Sequence, residues 1–174
     1  TREVMQFAWQ LKAPLVTLRI GRIPAADSEQ YRLLVEVLND LARHGNHVGA
    51  VLAVTPTRDD AESLTRLMRE ITQGPVGIDF DPAGFAMNGA DAVAAYRELH
   101  ELVTNVLIRD GLRDVDGSGR EVPVGRGEVD WTELIPMIDQ SRYRGPLTVL
   151  RTAGDDRAGD CARAIQFLRR LRLG

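Results

Sequence analysis

Five short apolar runs, each followed by an amphipathic stretch, constrain the fold more than any other feature of this chain. They are "PLVTLRIG" (14–21), "VGAVLAVT" (48–55), "VGIDF" (76–80), "TNVLIRD" (104–110) and "GPLTVLRT" (145–152). Apolar strands separated by helices are the pattern of a parallel α/β sheet, in which each helix is the crossover between neighbouring strands. Five strands cannot close a packed barrel by themselves. An open doubly wound sheet and part of a (β/α)₈ barrel both fit this order.

The intervening stretches carry helix signals. Residues 2–11 read as a first helix. Residues 27–45 have Asp27 and Gln30 as a capping box, Tyr31, Leu34, Leu38 and Leu41 as the apolar stripe, and Gly45 as the stop. Residues 57–71 have Thr57 as cap with Asp60 three positions on, and residues 88–103 form a further helix. The polar stretch 111–128 reads as a long loop. Asp130 and Glu133 then cap a helix over 130–140, weakened by Pro136, and residues 157–171 form the last.

Bulk properties exclude several classes. With 44% hydrophobic residues over 174 positions the chain can build one globular domain. A net charge of −3, without a basic stripe, argues against a nucleic-acid partner. Lys12 is the only lysine, so a Schiff-base mechanism would have to use it, from an amphipathic helix. The single Cys161 excludes an intramolecular disulfide and a Cys-rich zinc site, and its helical spacing with Ile165 and Leu168 reads as core. No apolar run reaches the ~18 residues of a membrane span and no signal peptide is visible, so no membrane partner and a cytoplasmic location are expected. Because Thr1 is not an initiator methionine, the chain is expected to be a processed or trimmed product.

In either parallel architecture the chemistry sits at the carboxyl ends of the strands. Those ends carry Arg19 and Arg22, Thr55 and Arg58, Asp79 and Asp81, Arg109 and Asp110, and Arg151 and Thr152. This rim is rich in arginine and suits anions such as phosphates or carboxylates, or else neutralises itself. Asp79 and Asp81 need partners, because carboxylates at the end of a core strand are costly when unpaired. The Gly125-x-Gly127 loop and Arg126 could cradle a phosphate, or simply turn the chain into the next helix. Trp131 reads as a packing anchor.

"VGIDFDPAGFAMNG", "NVLIRDG" and "VPVGRGEVDWTELIPMIDQSRYRGPLTVLRT" together resemble the carboxyl-terminal part of the sugar phosphate isomerase/epimerase superfamily, the xylose isomerase-like TIM barrels. "VGRGEVDW" followed by "YRGPLTV" is the most specific part, and "GNHVGAVLAVTPTRDD" matches more weakly. The resemblance implies a single α/β domain over 1–174, with the five strands as the fourth to eighth of eight. It implies roughly 80 to 100 further residues upstream that complete the barrel, or a homo-oligomer that covers the open edges.

The family's chemistry implies a divalent metal, such as Mn or Mg, held by two glutamates, an aspartate and a histidine, with the glutamates moving the proton. Position by position, the first glutamate falls on Thr55, the aspartate on Asp81, the histidine on Leu107 and the last glutamate on Leu150. A histidine that commonly follows near the substrate falls on Gly84. Only Asp81 could still bind a metal, so no metal or other cofactor is expected. His44, His47 and His100 are misplaced for rescue, and the same lack of a suitably placed histidine argues against an endonuclease IV-like zinc cluster.

An arginine, Arg109 or Arg19, is expected to pair with Asp79 or Asp81 in place of metal charge. Candidate ligand-binding residues are Arg19, Asp79, Asp81, Arg109, Asp110 and Arg126. Two functional readings follow. One is a degenerate, non-catalytic member that binds a small polyol or sugar phosphate, or serves as a regulatory or scaffold subunit. The other is an active sugar isomerase or epimerase that borrows groups from another segment or a partner chain.

Overall fold

Four helices in this chain begin where a short polar side chain, Ser28, Asp60, Asp91 or Asp130, accepts from the free amides of the first turn. In the computed structural model, which describes residues 1–173, the order opens with α1 (Arg2–Gln10), β1 (Leu15–Arg19), α2 (Glu29–Val48), β2 (Val51–Thr55), α3 (Ala61–Glu70) and β3 (Val76–Phe80). Ser28, not Asp27, caps α2: its hydroxyl accepts from the Tyr31 amide at 3.1 Å. Asp60, not Thr57, caps α3 and accepts from Ser63 N at 2.7 Å. We expect S28A and D60A each to cost about 1 kcal/mol in urea unfolding, and D27A to fall within about 0.5 kcal/mol of wild type.

Gly45 does not stop α2. It lies inside the helix, and it is a glycine because a Cβ there would meet Ala50 O at 2.5 Å and Met5 Cε at 2.6 Å. The stop is Gly49, left-handed at φ 80°, whose amide returns to Gly45 O at 2.8 Å.

The chain forms two compact units, Thr1–Asp79 and Phe80–Gly174. In the first, β1, β2 and β3 run parallel, with Leu15 opposite Val51 and Leu52 opposite Val76. Leu52, Ala53 and Val54 are fully buried, as a strand covered on both faces must be. Met5, Leu38, Leu64 and Leu67 complete that core.

The second unit contains α4 (Pro82–Met87), α5 (Ala92–Leu99), a short 3₁₀ turn (His100–Leu102), β4 (Val103–Ile108), β5 (Asp110–Arg113), β6 (Gly119–Val122), α6 (Trp131–Gln140), β7 (Leu147–Val149) and α7 (Arg157–Leu173). β4 and β7 are parallel, with Leu107 opposite Thr148. Phe80 lies between Phe85 and Tyr96, with both ring centroids 5.2 Å away. The polar stretch after β4 is not a plain loop. It folds into the antiparallel β5–β6 hairpin, with Asp110 opposite Val122 and Arg113 opposite Gly119.

Candidate functional site

The second unit gathers seven charged side chains into an alternating row. Arg109, just past β4, donates from Nη1 to Asp81 Oδ2 at 2.5 Å and from Nε to Glu121 Oε2 at 3.1 Å. Glu121, on β6, accepts at its other oxygen from Arg151 Nη1 at 3.1 Å. Arg151, just past β7, donates its Nε to Asp160 Oδ2 at 2.9 Å. Arg163 closes the row with Asp160 at 2.6 Å and Asp156 at 3.0 Å. The Thr152 amide donates to Glu121 Oε1 at 2.9 Å, and its hydroxyl donates to Oε2.

From Asp81 to Asp160 these side chains are no more than 10% exposed. At that burial no charge is affordable without its neighbour. Burial alone raises the Glu121 pKa. The Thr152 hydroxyl and amide, with Arg109, outweigh it and hold the carboxyl below its ordinary 4.5. Burial lowers the Arg151 pKa, and Asp160 and Glu121 more than restore it.

The depressed Glu121 pKa has a sign that can be tested. Between its folded value and 4.5 the unfolded chain binds the extra proton, so stability rises with pH there. The contribution is complete above 4.5 and is lost as pH falls through the folded value. Wild type should therefore lose more stability than E121Q between pH 5 and the acid limit, read as the difference between their urea midpoints. Parallel acid limbs would contradict it.

Asp110 is fully buried and accepts from five donors. They are the amides of Gly111 (2.9 Å), Gly125 (2.9 Å), Gly127 (3.2 Å) and Val129 (3.3 Å), and Trp131 Nε1 (3.0 Å). The glycine loop does cradle an anion, but the anion is the chain's own carboxylate. A Cβ on Gly127 would lie 2.1 Å from Asp110 Oδ1, which explains the residue type. Arg126 is exposed, and the five donors on Asp110 do not include its guanidinium. Trp131 is the anchor expected of it, 2% exposed.

The remaining positions lie as follows. Thr55 and Asp79 are buried in the first unit, where the Thr55 hydroxyl donates to Asp79 Oδ2 at 2.7 Å. Arg19 is exposed at the end of β1, and the arginine that meets Asp81 is Arg109. Leu107 is buried on β4 and Leu150 is half-buried after β7. Neither leucine has a lone pair to offer a metal, and Asp81 is engaged by a guanidinium. Among the described residues no group of three or more His, Cys, Asp or Glu side chains could hold a metal ion. These residues do not fit the divalent metal of the fold family. Glu121 and Asp160 are the site residues that sequence reasoning missed.

Parallel strands alternating with helices, and charge collected just past β4 and β7, define the class as a parallel α/β protein with its polar site at the strand ends. The family model described as "Xylose isomerase-like TIM barrel" matches residues 1–171, and the chain belongs to that family. The alternative of an open parallel sheet is thereby set aside. A xylose isomerase domain protein from Planctomyces limnophilus is similar at 28% identity and TM-score 0.91, over 98% of this chain and 64% of that one. A xylose isomerase-like TIM barrel protein from Mycobacterium smegmatis, solved in complex with magnesium, is similar in fold at 16% identity and TM-score 0.79, over 98% and 64%. D-allulose 3-epimerase from Methylomonas sp., solved with D-allulose, is similar in fold at 14% identity and TM-score 0.77, over 97% and 66%. This chain thus spans just under two thirds of the first of these structures. No curated protein matches it. Among the described residues no helix is long and apolar enough to cross a membrane.

Proposed function

We propose that this chain is a non-catalytic member of its family that binds a small polar or anionic ligand, a polyol or a sugar phosphate, or serves as a regulatory subunit. The observation that carries this reading is the 2.5 Å contact between Arg109 and Asp81. It places a fixed guanidinium on the one carboxylate that matches a metal-binding position, while Leu107 and Leu150 stand at two others. Proton transfer next to a carbonyl needs a base at the carbon and an electrophile at the oxygen. The row from Asp81 to Asp160 offers each carboxylate already held by arginine, and its guanidiniums already committed to those carboxylates, which argues against both roles.

Calorimetric titration of metal-stripped protein with Mn²⁺ and Mg²⁺, beside a D81A control, tests the reading. No saturable binding up to millimolar metal is expected. Micromolar binding that disappears in D81A would overturn it and return the isomerase reading to the front.

A further inference from the structure

Glu121 is held more completely than an ion pair requires. Its Oε1 takes Arg151 Nη1 at 3.1 Å and the Thr152 amide at 2.9 Å, and its Oε2 takes Arg109 Nε at 3.1 Å and the Thr152 hydroxyl. Two donors therefore converge on each oxygen of one carboxylate, whose side chain is only 4% exposed.

The donors and the acceptor have different mountings. Arg109 is the first residue past β4, and Arg151 and Thr152 are the second and third past its paired strand β7. The free edges of both guanidiniums are also fixed, Arg109 Nη1 by Asp81 and Arg151 Nε by Asp160. The receptor is thus oriented without help from Glu121. The carboxylate arrives instead on β6, part of a two-stranded ribbon that pairs with no third strand among the described residues.

We propose that Arg109, Arg151 and Thr152 form a carboxylate-binding site that the chain fills with its own Glu121, so that the β5–β6 ribbon acts as a tethered competitor of a small external carboxylate. Two donors per oxygen in a two-oxygen acceptor match a planar carboxylate better than a tetrahedral phosphate. The inference is independent of whether the strand ends also take a polyol or a sugar phosphate.

The test is E121A, melted in chloride and then in rising acetate or propionate. Acetate raises the melting temperature of E121A saturably, by about 4 °C at roughly tenfold excess over its dissociation constant. Wild type, whose site is filled, moves by less than about 1 °C under the same conditions. The double variant E121A/R151M loses the response. If E121A does not hold its fold in chloride, the same titration is read as recovery of the folded circular-dichroism signal. An equal response in wild type and E121A, no response or recovery with either acid, or inorganic phosphate acting more strongly than acetate would each overturn the proposal.

Discussion

Replacing Arg109 by methionine should destabilise the protein by about 3–5 kcal/mol, because it takes a guanidinium donor from each of two buried carboxylates, Asp81 and Glu121. Both carboxylates are buried, at 4% side-chain exposure, so water cannot take over the lost role. Methionine keeps most of the volume of the stem, which separates the charge effect from cavity formation. The double variant D81L/R109M should recover most of the loss, since a buried pair replaced by apolar groups is often near neutral. Urea midpoints of the two single variants and the double variant form a cycle. A cost below about 1 kcal/mol for R109M would show that the buried row does not depend on this guanidinium.

The second large effect is expected at Asp110. D110A leaves the Val129 amide and the Trp131 indole without an acceptor in a buried setting, and the Gly125 and Gly127 amides without the group that turns them. Each stranded buried donor costs about 1–3 kcal/mol, and water can reach the exposed part of the loop, so about 4 kcal/mol in all is expected. D110N should cost less, since its amide oxygen still accepts. Trp131 reports the change in a W9F background, where it is the only indole left. Its emission should shift to longer wavelength in D110A. Emission and melting both unchanged from the parent would contradict the role given to this carboxylate.

The sequence announced the order of helices and strands because apolar periodicity survives every local detail. Cap positions were less readable. Asp27 and Ser28 are both good caps and adjacent, as Thr57 and Asp60 are near neighbours, and only backbone direction decides between them. Gly45 looked like a stop because a glycine in a helix is usually wasteful, and the close approach of Ala50 and Met5 has no local signature. The Asp81–Arg109 pair was foreseeable from two carboxylates at a strand end and an arginine at a neighbouring one. Glu121 was not, because "GREV" lies in a polar, glycine-rich stretch with no apolar alternation to mark a strand. Asp160 was equally hidden, as an acid in the first turn of a helix is ordinary. The five donors on Asp110 come from chain positions up to 21 residues beyond it, and no sequence spacing expresses that convergence.

Anyone wishing to build a metal centre into this chain has to begin at Arg109. Adding a histidine at Leu107 and a glutamate at Leu150 would supply donors, yet an incoming divalent ion would still have to evict a guanidinium from Asp81. That guanidinium also donates to Glu121, so the eviction would cost this buried carboxylate one of its cations as well. Ligands grafted one at a time would therefore show little affinity and some loss of folding. A workable engineering route removes Arg109 and rebalances Glu121 in the same step, before any metal ligand is introduced.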